Sequence, residues 1–192
     1  MRIVGGKYRG RALLSPKGDA TRPTSDRARQ AIFNILEHAA WMSDDIMDSG
    51  VVLDIFAGTG ALGLEALSRG KSMAVFFEQN KSSASICHAN AEKMGALDDT
   101  RIFRCDATKP PKRPNDIPPA TLVFLDPPYG KDLGLAAIEA FIAKDWLAEN
   151  AIIIMEMAVR TPEPLPDSCE QIDSRDYGVA HIRFLKRKIA TI

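Results

Sequence analysis

Val51-Val52-Leu53-Asp54-Ile55-Phe56-Ala57-Gly58-Thr59-Gly60-Ala61-Leu62-Gly63 is the stretch that decides the fold. Six residues that are apolar except for Asp54 make a strand of the kind buried on both faces of a sheet. A glycine-rich turn follows, and Leu62–Ser68 reads as a helix. The unit then repeats. Met73–Phe77 is a second strand ending at Glu78, and a helix spans about Lys81–Met94. Arg101–Arg104 is a third strand, ending at Cys105-Asp106, and Thr121–Leu125 a fourth, ending at Asp126-Pro127-Pro128-Tyr129. A helix over Leu133–Ala143 leads to a strand at Ala151–Glu156. The pieces Glu170–Ser174 and Val179–Lys186 then predict an antiparallel hairpin. Strands alternating with helices imply an α/β fold built on a parallel sheet covered on both faces.

Upstream, Arg2–Val4 and Arg11–Leu14 are short β-like pieces separated by Gly5-Gly6 and Gly10. From Ser25 the spacing of Ala28, Ile32, Ile35, Leu36 and Ala39 predicts a helix to about Trp41, with Thr24 or Ser25 as its cap. Ser43–Gly50 reads as a polar connection. Pro110–Pro119 holds five prolines, too many for a helix or central strand, and reads as an irregular loop. We divide the chain into an N-terminal extension, residues 1–42, and a domain over residues 43–192.

The 192 residues are 45% hydrophobic and 26% charged, enough for one domain with a sizeable core and too apolar for a disordered chain. No apolar run reaches the ~20 residues of a membrane span, and the N-terminus has no signal-peptide stretch, which fits a cytoplasmic protein. Cys87, Cys105 and Cys169 form no CxxC pair and read as buried, inert thiols. His38, His88 and His181 have no metal-ligand spacing, so no metal is expected; Trp41 and Trp146 read as core residues. The 25 basic and 25 acidic residues cancel overall. Residues 1–29 nevertheless hold eight basic and two acidic residues, a net +6. Such an arm suits a polyanionic partner, or else is a solvated face.

Ligands of open α/β sheets bind at the carboxyl ends of the strands, and four of these ends carry acids: Asp54, Glu78, Asp106 and Asp126. The turn from Gly58 to Gly63 contains G-x-G-x-x-G, with Glu78 placed to take a ribose hydroxyl. An acid four residues before Gly58 would repel a pyrophosphate but attract the α-ammonium of a methionine-type cofactor. S-adenosylmethionine therefore fits better than NAD.

Asp126-Pro127-Pro128-Tyr129 suits chemistry on an exocyclic amine of a nucleobase. That nitrogen is a poor nucleophile because its lone pair is delocalised into the ring. The Asp126 carboxylate and a backbone carbonyl at Pro127 can accept its two hydrogens, aim the lone pair at an electrophilic methyl and stabilise developing positive charge. Pro127 and Pro128 stiffen these acceptors, and Tyr129 offers a face for a flipped-out base.

With these residues in place the chain resembles the class I S-adenosylmethionine-dependent methyltransferases of the amino-group type. More narrowly it resembles the RsmD family, which methylates the N2 amine of a guanine in bacterial 16S ribosomal RNA. The resemblance is carried by Met1–Arg11, Arg22–Arg29, Leu53–Gly70 and Asp126–Tyr129. It implies a Rossmann-like class I methyltransferase fold, with a seven-stranded, mostly parallel sheet whose last strand is antiparallel, plus a small N-terminal hairpin and helix. It implies that Asp54, Phe56, Ala57, Gly58 and Gly60 line the methionine and ribose part of the cofactor. Glu78 would accept the ribose hydroxyls, Gln79 would border the adenine, and Asp106 with Ala107 would meet the adenine amine. Arg22–Arg27 would close over the methionyl end, with Thr24 in contact. Asp126, Pro127, Pro128 and Tyr129 would hold the target guanine. Lys7, Arg9, Arg11, Arg22 and Arg27 would contact RNA phosphate, 16S ribosomal RNA in a 30S particle being the partner of a monomeric enzyme. The Pro110–Pro119 loop is longer than the connection such a resemblance implies.

Three other readings stay open on sequence alone: adenine-N6 methylation of DNA, a non-catalytic RNA-binding assembly factor, and an NAD-dependent oxidoreductase suggested by the glycine pattern. A DNA enzyme needs a target-recognition region, for which this chain has little room.

Overall fold

A computed structural model describes residues 1–16, 26–43, 45–128, 133–158, 164–178 and 180–188. The chain order is α1 (Asp26–His38), α2 (Asp45–Asp48), β1 (Val51–Ile55), α3 (Ala61–Ser68), β2 (Met73–Phe77), α4 (Lys81–Met94), β3 (Thr100–Phe103), β4 (Ala120–Leu125), α5 (Leu133–Ala143), β5 (Leu147–Ala158), β6 (Cys169–Tyr177) and β7 (Ala180–Arg187). The sheet has seven strands in the order β3-β2-β1-β4-β5-β7-β6. Every pairing from β3 to β5 is parallel, and β7 runs antiparallel to both its neighbours. The seven-stranded sheet with its last strand reversed is as the resemblance implied.

Alternation along the central strands sorts the core into two layers. Val52, Leu122, Phe124, Ile152 and Ile154 face a cluster shared with Ile32, Phe33 and Leu36 of α1, Leu64 of α3 and Cys87 of α4. Leu53, Ile55, Val123, Leu125 and Ile153 face the other, with Ala137, Ile138 and Phe141 of α5. Asp54 shares the parity of Val52, so it points to the first face although it is 2% exposed.

Local chemistry sets the ends of elements. Asn80 caps α4, its Oδ1 accepting from Ser82 N (2.9 Å) and Ser83 N (3.1 Å), and Gly95 closes the helix at φ 66°. No helix crosses between β3 and β4. There Ala107 and Ile117 pack into the second layer beside α5. The proline-rich loop is held by Trp146 Nε1, which donates to Pro111 O at 2.8 Å, and by Arg113, which donates to the carbonyls of Asp145 (2.6 Å) and Ile117. The loop thus closes the end of the α5–β5 layer.

Some sequence expectations are corrected. Trp41 lies beyond the end of α1, half-buried against Phe184 at 5.3 Å between ring centroids, because the helix stops at His38. The polar connection 43–50 contains the short α2, with Ile46 and Met47 buried. Strand β5 runs from Leu147 to Ala158, longer than expected, because β7 pairs with it through Ala158. Cys105 is only partly buried, unlike Cys87 and Cys169. Arg29 does not belong to a solvated basic arm: it is fully buried.

The N-terminal pieces form one antiparallel bridge, Arg2 to Ala12, with a 3₁₀ turn at Gly6–Tyr8. They are fastened to α3 by Glu65, also fully buried. Its carboxylate accepts from Val4 N (2.8 Å) and Gly5 N (2.7 Å) and pairs with Arg69 Nε (2.8 Å) and Arg29 Nε (3.5 Å). Arg29 Nη2 donates to Asp26 Oδ1 at 2.8 Å and to the carbonyl of Arg2. Tyr8 N donates to Ser68 Oγ at 2.8 Å. None of the described helices is long and apolar enough to cross a membrane.

Candidate active site

The parallel register Ile55–Phe77, Ile55–Leu125 and Leu125–Met155 aligns the carboxyl ends of β2, β1, β4 and β5. A cavity of about 680 Å³ opens there, large enough for a nucleoside-sized ligand. Its wall includes Asp54, Phe56, Ala57, Gly58, Glu78, Gln79, Ala107, Asp126, Pro127 and Pro128 from the sequence expectations. Gly60 and Asp106 are not part of that wall. Thr24, Arg22 and Tyr129 lie outside the described residues. Lys7, Arg9, Arg11 and Arg27 are exposed on the surface, away from the cavity wall.

The turn after β1 is held from both ends. Gly63 N donates to Asp54 Oδ2 at 2.8 Å, and Gly58 N donates to Glu78 Oε2 at 2.8 Å, while Asn80 N reaches Glu78 Oε1 at 2.7 Å. Phe56 sits at φ 63°, a left-handed conformation that costs a bulky residue on the order of 1–3 kcal/mol. This turns the chain sharply out of β1. Gly60 and Gly63 serve packing: a Cβ on Gly60 would lie 2.6 Å from Cys87 Sγ, and one on Gly63 2.4 Å from the Phe76 ring. Gly58, at φ 54°, has nothing within 4 Å of where its Cβ would stand. The loop therefore presents bare backbone to open space, a seat into which a ligand can come close.

The cavity is acidic. Asp54 is pushed up to about 7, first by burial and then by Glu78, against the lowering effect of the Gly63 hydrogen bond. Asp126 is held well above the usual carboxylate range by burial, with Glu156 and Asp54 adding repulsion. A cation placed among these acids would relieve both. Asp106 goes the other way, lowered by its hydrogen bonds from Thr108 N (2.9 Å) and Thr108 Oγ1 (2.8 Å). Burial, with Asp54 and Glu78, pushes the Cys87 thiol up, as suits an inert packing residue.

Sequence reasoning missed part of the wall. Met1, Pro16, Ala28 and Arg29 close one side, and Glu156, Tyr177, Ala180 and Ile182 another. Arg29 Nη1 is buried with no hydrogen-bond partner among the described residues. Its signal was present in the sequence, since Arg29 lies three and four residues before Ile32 and Phe33 on the apolar face of α1. Glu156 likewise stands out as an acid inside an apolar strand.

A sequence model of the family described as conserved hypothetical protein 95 matches residues 1–186. The ribosomal RNA small subunit methyltransferase D of Haemophilus influenzae is 31% identical over 184 residues, 95% of this chain and 92% of that one. Its Escherichia coli namesake is 35% identical over 164 residues, 85% of this chain and 78% of that one. The solved structure of yhhF from Escherichia coli superposes with a TM-score of 0.81 at 31% identity, covering 98% of both chains.

Proposed function

The chain belongs to the family described as conserved hypothetical protein 95, the RsmD family, and on that premise we propose that it is a ribosomal RNA methyltransferase. It transfers a methyl group from S-adenosylmethionine to the exocyclic N2 amine of a guanine in 16S ribosomal RNA, within an assembled or partly assembled 30S particle. It works as a cytoplasmic monomer. Residues 1–42 contribute RNA and cofactor contacts to a methyltransferase domain at 43–192. One observation carries this reading: Asp126-Pro127-Pro128 stands on the wall of the same cavity as the open Gly58 loop and Glu78.

The residues present fit the cofactor. Gly58 leaves bare backbone at the seat, Glu78 offers carboxylate oxygens to ribose hydroxyls, and Gln79 and Ala107 border the adenine. Asp54 takes the ammonium, and Arg29, whose Nη1 has no hydrogen-bond partner among the described residues, offers a cation to the carboxylate. When bound, S-adenosylmethionine supplies an electrophilic methyl on a cationic sulfur.

The chain's own work is orientation. The Asp126 carboxylate and the Pro127 carbonyl accept the two amine hydrogens, turning the nitrogen lone pair toward the cofactor side of the cavity. Positive charge developing on that nitrogen is stabilised by Asp126. The amine proton then leaves to solvent. Tyr129 stacks on the flipped base, and Lys7, Arg9, Arg11, Arg22 and Arg27 neutralise RNA phosphates.

The test is incubation with isotopically labelled S-adenosylmethionine and 30S particles from cells lacking the modification, followed by nucleoside mass spectrometry. Label in N2-methylguanosine is expected. No label in N2-methylguanosine, together with label in N6-methyladenosine when DNA is supplied in place of the particles, would overturn the reading.

A further inference from the structure

Glu156 has no part in the scheme above, yet it stands beside the reacting group. Leu125 of β4 pairs with Met155 of β5, so Asp126 and Glu156 are the next residues out on adjacent parallel strands. Both line the cavity, with Ile182, opposite Glu156 on β7, completing that side. Two acids so placed repel each other, and this repulsion adds to burial, the larger cause, in raising the affinity of Asp126 for a proton. A ligand edge carrying several adjacent N–H donors turns that cost into binding, because an ionised carboxylate is an acceptor only. The Watson–Crick edge of guanine is such an edge: it presents N1–H beside the two hydrogens of N2. Adenine presents its amine beside a bare N1 lone pair.

We propose that Glu156 is the base-reading residue of the site, its carboxylate accepting the N1–H of the guanine whose N2 amine is held by Asp126 and Pro127. This rests on the guanine-N2 reading above and adds to it a physical basis for choosing guanine. Adenine would set its N1 lone pair against the Glu156 carboxylate, leaving two acceptors facing each other without a proton. The parity of the strands supports the geometry: Asp126 and Glu156 continue the same face as Phe124 and Ile154.

The experiment uses reconstituted small-subunit particles carrying either guanosine or 2-aminopurine at the methylated position. 2-Aminopurine keeps the amine but has an unprotonated N1. Wild type, Glu156→Gln and Glu156→Ala are compared in kcat/KM, and S-adenosylhomocysteine affinity is measured by calorimetry. Wild type should prefer guanosine by at least about 100-fold, as a site built around a substrate N–H does. Glutamine, which can turn either its oxygen or its amide N–H to the base, should narrow the preference to less than about tenfold; alanine should lose at least about tenfold on guanosine. Loss of O6 in 2-aminopurine affects all three enzymes alike and cancels in the comparison. Cofactor-product affinity should stay within about threefold in both variants, which also reports that they fold. An unchanged guanosine preference in Glu156→Gln overturns the proposal while leaving guanine-N2 methylation standing. A parallel loss of cofactor-product affinity overturns it too, by placing Glu156 in the cofactor seat. A wild type that methylates no guanine removes the parent reading, and this one with it.

Discussion

Glu78 Oε2 accepts the backbone N–H of Gly58 at 2.8 Å, so the acid after the second strand holds the glycine loop that follows the first. One side chain therefore both shapes the proposed seat and offers oxygens to it. Glu78→Ala should weaken S-adenosylhomocysteine binding by about 10–100-fold, since a charge-assisted hydrogen bond contributes roughly 1.5–3 kcal/mol. Isothermal titration calorimetry checks this. Binding within twofold of wild type would show that Glu78 serves the loop alone.

If Asp54, whose carboxyl burial pushes up to about 7, holds the ammonium as proposed, cofactor binding should depend on pH. A cationic ammonium requires the ionised form, which is the minority below that value and the majority above it. Affinity should therefore rise by about tenfold from pH 6 to pH 8, with proton release on binding. Calorimetry in two buffers of different ionisation enthalpy reads both effects. Asp54→Asn should bind weakly and without that slope.

Asp126 carries the opposed demands of stability and chemistry. Its carboxyl holds its proton more tightly in the folded chain than in the unfolded one, so as pH rises above the unfolded value the folded state loses stability. Asp126→Asn cannot ionise, and its Tm should exceed that of wild type by a margin that grows as pH rises above the unfolded carboxyl's value and levels off above the folded one. The same variant should lose about 10²–10³ in kcat, the loss typical of a misplaced transition-state acceptor. Thermal melts and labelled-methyl turnover test the two halves separately.

Glu65 is the anchor of the N-terminal segment. Glu65→Ala leaves Arg29 and Arg69 facing a buried gap and two backbone N–H groups unpaired, and should cost about 3–5 kcal/mol. Urea unfolding measures it. A cost below about 1 kcal/mol would mean that the segment folds back without its carboxylate.

Much of this architecture was legible because local signals agreed. Helix α4 is found at Lys81–Met94 as expected, since Asn80 caps it and Gly95 ends it. The wall residues Asp54, Gly58, Glu78 and Asp126 were legible because strand ends bring them together whatever the rest of the chain does. Arg29, Glu156 and Tyr177 were not read. A charge on an apolar stretch marked Arg29 and Glu156, but their places in the cavity wall, and that of Tyr177, depend on how α1 lies over the sheet and how β7 pairs with β5. Helix α2 escaped notice because four residues with an acid at each end carry almost no periodicity.

Helix α3 is eight residues long, starting at Ala61 directly after Gly60 of the glycine loop and carrying Glu65 midway. The amide protons of Val4 and Gly5 end on that one carboxylate. Their exchange with deuterated solvent is then a remote gauge of the glycine loop: whatever ligand steadies the start of α3 should slow them, although they sit on a different segment of chain. Two amides near the N-terminus thus record occupancy of a cavity whose wall does not include them.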